Sequence, residues 1–285
     1  MMEPNVAVLI PSHIGYEGQI DLLDNCILSL MEQSLKPKSI YISISFENET
    51  YKSGFKRLLE KYGRRMKPKV SFKISSEKKY QMEHLHNIAN AIDLNDYDML
   101  MFCDDDDTYH HQRLDTFVDV FKYGKNANVK NFGGVREHVD LRDDDDPRKE
   151  IPEYWCYGIV PNAIVDFFSF FKGEHYILLK QDLSDMYFRL YLRKNSKYYA
   201  WMGIIDKNIG FTLYNYNINN PNSICGKIER GMRGFETNLI MEVFYANSDR
   251  ELDSVLEKYK DKYSIDESYE LSAKMIYNFC KVLCE

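Results

Sequence analysis

The stretch Met99-Leu100-Met101-Phe102-Cys103 is wholly apolar and runs straight into Asp104-Asp105-Asp106-Asp107. A short apolar run of this kind predicts a buried central strand of an α/β sheet. Four adjacent carboxylates at its end are electrostatically costly, because each disfavours ionisation of the next. A divalent cation offsets that repulsion, and a cluster of oxygen donors suits Mg2+ or Mn2+. If extended geometry continues past Cys103, Asp104 and Asp106 project to one side and Asp105 to the other. An Asp-x-Asp pair then stands at the carboxyl end of a strand, where α/β sheets bind ligands. The competing reading is a solvated acidic turn.

Upstream of this stretch, strands and helices alternate. Val6 to Pro11 reads as a strand ended by the turn signal Pro11-Ser12-His13. Asp21 to Gln33 carries Leu22, Leu23, Ile27, Leu30 and Met31 at helical spacing. After Pro37, Ile40, Ile42 and Ile44 alternate with polar residues in a second strand, Ser39 to Ser45. A helix over Ser53 to Tyr62, a strand over Val70 to Ile74 and a helix over Met82 to Ile92 complete the approach. This order predicts a mostly parallel sheet with right-handed crossovers.

Downstream the pattern is less regular. Arg113 to Tyr123 and Leu183 to Arg193 read as helices, and Val129 to Val135, Trp201 to Ile205 and Phe211 to Tyr216 as strands. The second acidic run, Asp143 to Asp146, follows no apolar strand and precedes Pro147, so it reads as a solvated loop. Two amphipathic helices close the chain, one carrying Leu252, Val255, Leu256 and Tyr259, the other Leu271, Met275, Ile276, Phe279, Val282 and Leu283.

Bulk properties bound the function. The 285 residues, 44% apolar and 28% charged, suit one large domain or two intimate halves. A net charge of −7 argues against a nucleic-acid partner. No stretch is long and apolar enough to span a bilayer, and the first residues show no secretory signal pattern. Six cysteines without metal or disulfide spacing imply a reducing, cytoplasmic setting. The 22 Tyr and 16 Phe reflect compositional bias more than sugar-stacking platforms.

Three segments together resemble the family 2 glycosyltransferases of the GT-A fold. They are Val6 to Ser12, Ser29-Leu30-Met31-Glu32-Gln33-Ser34, and Met101 to Asp107 with His110 to Leu114 after it. The match is good over residues 5 to about 115 and loose beyond. It implies a Rossmann-like, mostly parallel central sheet flanked by helices, with C-terminal helices. Residues 1–107 would form the nucleotide-sugar-binding half, 108–240 the acceptor-binding half, and 241–285 a helical extension. It also implies a UDP- or GDP-sugar donor, a hydroxyl acceptor on a glycan, lipid or protein, and Mn2+ or Mg2+.

Carried over residue by residue, Pro11, Ser12 and His13 contact the nucleotide. Asp104 sits near the ribose and metal, Asp105 near the donor, and Asp106 is the principal metal ligand, with Asp107 in support. Glu47 stands in for an acidic pair that relatives place after the second strand. His84 and Asn87, one helical turn apart, stand where relatives carry a basic residue and Asn. Inverting transfer needs a base opposite the leaving group, as in inverting glycosidases. Asp185 is the first candidate and Asp182 the second; either also suits a helix cap. Since no His follows His175, Asp206 is a substitute third metal ligand. Lys227, Arg230 and Arg233, spaced by glycines, could close over the diphosphate. Trp155, Tyr157 and Trp201 are candidates to stack on an acceptor sugar or to lie in the core.

Two other functions compete. A sugar-1-phosphate nucleotidyltransferase would show an Arg-containing, Gly-rich turn after the first strand, whereas Ser12 to Glu17 holds no Arg. A catalytically inactive sugar-nucleotide-binding relic would not need the intact aspartate run.

Overall fold

The computed structural model describes residues 3–63, 67–138, 153–194, 199–205, 212–217, 220 and 234–284. Its first half alternates as the sequence predicts: β1 Val6–Ile14, α1 Gln19–Met31, β2 Ser39–Phe46, α2 Glu49–Tyr62, β3 Lys69–Ile74, α3 Gln81–Ala89 and β4 Met99–Phe102. The short β5, Thr108–Tyr109, leads into α4, Arg113–Asn126, and β6, Phe132–His138. Then come β7 Tyr157–Ile159, α5 Pro161–Ser169, α6 Asp185–Lys194, β8 Ala200–Ile205 and β9 Tyr214–Asn215. Helices α7 Phe235–Tyr245, α8 Asp249–Tyr263 and α9 Glu267–Cys284 follow.

The main sheet has the order β3-β2-β1-β4-β7-β6-β8. Four of its six pairings are parallel; β7 runs antiparallel to both β4 and β6. Strand β4 lies at the centre, and Met99 to Cys103 are all at 0% exposure. The apolar run is continuous because both faces of β4 are covered. Its carboxyl end therefore opens among β1, β7 and the segments that cross above them.

Strand β1 continues through Pro11, where the sequence suggests a turn. The reason lies in its neighbours. The carbonyl of Leu9 accepts the Cys103 N–H, and the β1–β4 pairing ends at Leu9 and Phe102. Pro11, two residues on, faces the same side, beyond the end of β4, so its missing N–H breaks no ladder bond. On the other side β2 carries β1 to Ile14.

Two expected strands change extent. The strand expected from Val129 begins at Phe132, and of the one expected over Phe211 to Tyr216 only β9 is extended. It pairs with β5, outside the main sheet; Phe211 lies outside the described residues. Helix α7 carries no clear sequence signal. It packs with α6 against α9, where Phe171, Tyr187 and Phe279 meet edge to face or tilted. Those aromatics are core, as the compositional reading holds.

Strands β6 and β7 approach closely at Gly134, whose φ is +137°. A Cβ there would lie 2.0 Å from the carbonyl oxygen of Gly158. Gly134→Ala should cost about 3 kcal/mol or more, combining left-handed backbone strain with a clash against main chain. Urea unfolding measures this; a cost below about 1 kcal/mol would contradict the close approach.

Candidate functional site

The chain leaves its extended path after Phe102. The Asp107 N–H donates to the Asp104 carbonyl (3.3 Å), so the four aspartates form a turn rather than a continued strand. The in–out alternation survives the turn: Asp105 and Asp107 are 8% and 1% exposed, while Asp104 and Asp106 are half-buried.

Each carboxylate is met by neutral groups from distant segments. Asp105 Oδ2 accepts from Ser12 Oγ (2.6 Å) and Gln19 Nε2 (3.1 Å), which ties it to β1 and α1. Asp107 Oδ2 accepts from the Tyr214 hydroxyl (2.8 Å) and its Oδ1 from the Asn217 N–H (2.7 Å). Asp104 Oδ1 accepts from Gln81 Nε2 (2.8 Å) and from the Tyr154 hydroxyl. Asp106 Oδ2 accepts from Asn220 Nδ2 (2.6 Å), which also donates to the Tyr16 hydroxyl (3.0 Å). Sequence reasoning singled out none of Gln19, Gln81, Tyr16, Tyr214, Asn217 or Asn220; Tyr154 was equally unmarked.

Burial raises the pKa of all four. It pushes Asp105 up to about 8 with help from the Asp106 charge, and Asp107 up to about 7 for the same two reasons. Asp104 is raised well above the usual carboxylate range by burial and then by Asp107. Asp106 is raised by burial, against the opposing bond from Asn220. Neutral donors soften the crowding without removing its charge.

The two half-buried carboxylates supply the oxygen donors that a hard divalent cation takes. Their bonds to described residues use Oδ1 of Asp104 and Oδ2 of Asp106. Mg2+-type sites commonly take one or two carboxylates and complete the shell with substrate phosphates and water. No group of three or more potential ligand side chains is assembled among the described residues. Asp206 lies outside them, as do Lys227, Arg230, Arg233 and the acidic run 143–146.

At the ends of β1 and β2 the expected donor residues form one directional chain. Glu47 is held low by the bond from His13, so it accepts from His13 Nε2 (3.0 Å). His13 Nδ1 then accepts from Ser45 Oγ (2.9 Å). Ser45 accepts from His84 Nε2 (3.0 Å), and His84 Nδ1 accepts from Ser43 Oγ (2.8 Å). His84 is 1% exposed, and burial with the nearby His13 pushes its pKa down to about 3, so it stays neutral. The surface of this chain is His13 and Glu47; His84 lies beneath, supporting Ser45. Asn87 sits farther along α3, with its carbonyl accepting from Lys73 Nζ (3.1 Å). Pro11 and Ser12 are buried, Ser12 against Asp105.

Asp185 opens α6 and is half-buried. Burial, then the charge of Glu153, pushes it up to about 6, while Arg189 and the N–H groups of Asp185 and Met186 pull it down. Its charge also acts on Tyr154, which is bonded to Asp104. Asp182 is exposed and close enough to influence His13. Of the candidate stacking aromatics, Trp155 and Tyr157 are core and Trp201 is half-buried: Trp155 stacks on Tyr214 (4.0 Å, 11°), and Tyr157 meets Trp201 edge-on (5.2 Å). Trp201 Nε1 donates to the Leu192 carbonyl (3.2 Å).

Comparison with solved structures identifies the architecture. The mannosyltransferase PcManGT from Pyrobaculum calidifontis, solved with GDP-Man and Mn2+, superposes with a TM-score of 0.53 at 10% identity, covering 99% of this chain and 74% of that one. S. aureus TarS 1-349, solved with UDP-GlcNAc, gives 0.51 at 11%, covering 93% and 74%. The chain has the GT-A fold. Against the longer S. aureus TarS the TM-score is 0.48 at 12% identity, with 90% of this chain and 43% of that chain covered. No family model matches the sequence, and no curated protein matches it.

The raised carboxylates carry a stability signature. Asp105 holds its proton in the fold up to about pH 8, whereas the unfolded chain loses it near 3.9. Between those values the folded state binds more protons, so stability without metal falls as pH rises. Asp105→Asn should flatten that fall by roughly 5 kcal/mol across the window. Urea unfolding in chelator from pH 4 to 8 reads the difference, and parallel curves for the two proteins would contradict it.

Proposed function

We propose that this chain is a metal-dependent glycosyltransferase that moves a sugar, with inversion, from a nucleotide-sugar donor to a hydroxyl acceptor. The observation that carries the reading is the turn of carboxylates, raised by burial, at the carboxyl end of the central strand of a GT-A fold. The half-buried Asp104 and Asp106 stand at the end of the central strand, and the Asp185 charge acts on Tyr154, the phenol bonded to Asp104. The GT-A fold supports it, as do the GDP-Man and Mn2+ in PcManGT and the UDP-GlcNAc in TarS.

In this reading Asp104 and Asp106 hold Mn2+ or Mg2+ against the donor diphosphate. The ion supplies Lewis-acid stabilisation of the charge that develops on the leaving β-phosphate. His13 and Glu47 are proposed to meet the nucleotide at the ends of β1 and β2, Glu47 as an acceptor, with Ser45 and His84 fixing the His13 ring. Lys227, Arg230 and Arg233 are proposed to meet the diphosphate from the late segment. Asp185 accepts the acceptor's hydroxyl proton as that oxygen bonds to the anomeric carbon, while the bond from carbon to the β-phosphate oxygen breaks. A base near 6 is charged at neutral pH yet more basic than an ordinary carboxylate, which suits the task. Asp182, exposed near His13, is the weaker candidate. The free, buried Cys26, Cys103, Cys156 and Cys280 accord with a reducing compartment. No described helix is long and apolar enough to cross a membrane.

The assay is release of UDP or GDP from a panel of nucleotide-sugars with Mn2+. Asp185→Asn should lower kcat about 10²- to 10⁴-fold while leaving donor affinity nearly unchanged. The wild-type kcat/KM should fall about tenfold per pH unit below about pH 6, because the base is then protonated. Full activity in Asp185→Asn, or no acid limb, would remove Asp185 from the role; no nucleotide release with any donor would defeat the reading itself.

A further inference from the structure

Arg113, the first residue of α4, and Glu137, on β6, form an ion pair in which both side chains are fully buried. The guanidinium lies over the rings of Tyr109, Phe117 and Tyr214, at 4.7, 4.6 and 5.0 Å from their centroids. One of its terminal nitrogens donates to the Trp155 carbonyl (2.8 Å). Glu137 gives Oε2 to Arg113 and uses Oε1 to accept the Leu213 N–H (3.1 Å).

The following residue carries this arrangement to the aspartates. Tyr214 stacks on Trp155, donates its hydroxyl proton to Asp107 Oδ2 (2.8 Å), and accepts the Asp104 N–H (3.1 Å). One phenol therefore fixes both a side chain and a backbone amide of the turn. Desolvating two charges is expensive, and well-packed apolar replacements of a buried pair are often as stable or more so. Stability is thus a poor account of the pair. Its geometry offers a better one, since an apolar residue at position 137 has no acceptor for Leu213.

We infer that Arg113 and Glu137 are positioning residues for the aspartate turn. Through the Leu213 N–H they set where the Tyr214 hydroxyl stands, and so hold Asp107 and the Asp104 main chain in one arrangement. The consequence for metal affinity rests on the proposed function; the positioning does not.

Two double variants separate positioning from charge. Arg113→Met with Glu137→Gln removes both charges but keeps an acceptor for Leu213, whereas Arg113→Met with Glu137→Leu removes the acceptor as well. Both should melt within a few degrees of wild type. In the Met/Leu protein, hydrogen exchange at the Asp104 and Asn217 amides should rise about tenfold or more, against about twofold or less in Met/Gln. Mn2+ affinity, titrated calorimetrically with UDP or GDP present, should fall about 10-fold or more in Met/Leu alone. Equal protection of those amides in the two doubles would overturn the inference. If either double fails to fold, native-state exchange of the wild type decides: Leu213, Asp104 and Asn217 amides that open together with one free energy support positioning, and an Asp104 amide that opens independently of Leu213 overturns it. Should wild type bind no Mn2+, the proposed function fails, while the exchange comparison still settles the positioning role.

Discussion

Four carboxylates held close together, and largely out of bulk water, set the terms for everything around them. Isolated burial of even one such charge is unfavourable. The fold answers with hydrogen-bond donors drawn from six places: Ser12, Gln19, Gln81, Tyr154, Tyr214 with Asn217, and Asn220. All are neutral. They orient the oxygens and lower the cost of each charge, yet the turn keeps its proton affinity, with Asp105 near 8 and Asp107 near 7. The proposed cation would act on this charge, which the neutral donors orient but leave in place.

The donor set also explains why the two halves of the chain must close on each other. Asp105 belongs to the first half through β1 and α1, whereas Asp107 is bonded to residues more than a hundred positions later. Asp104 is shared, between Gln81 on α3 and Tyr154 beside β7. The turn is therefore a seam. The antiparallel β7, which interrupts the parallel order next to β4, brings Tyr154 and Trp155 to that seam.

Much of this was legible in the amino-acid sequence, for physical reasons that also show the limits. Strands β1 and β4 announce themselves because buried parallel strands need uninterrupted apolar runs, β2 by its alternating isoleucines, and the aspartates stand out because charge after such a run is costly. The Asp-x-Asp alternation holds even though the segment is a turn. What periodicity cannot supply is the direction of a helix face. His84 shares α3 with Asn87, but the face bearing His84 packs on β2, so its ring lies beneath the surface on Ser43 and Ser45. Trp155 and Tyr157, which the sequence leaves open between sugar platform and core, are core in the structure, because β7 is inserted in the sheet. The carboxylate partners Tyr214 and Asn220 had no local signature, since a hydrogen bond across such a separation leaves no trace in spacing.

The central claim is that this seam is built to receive a divalent ion between Asp104 and Asp106. Crystals grown with Mn2+ and UDP or GDP, with diffraction recorded near the manganese absorption edge, test it most directly. The account predicts one strong anomalous peak touching a carboxylate oxygen of each residue, at about 2.0–2.4 Å. A map with no peak there, or with the ion bound elsewhere while the four aspartates keep only their neutral partners, would contradict it.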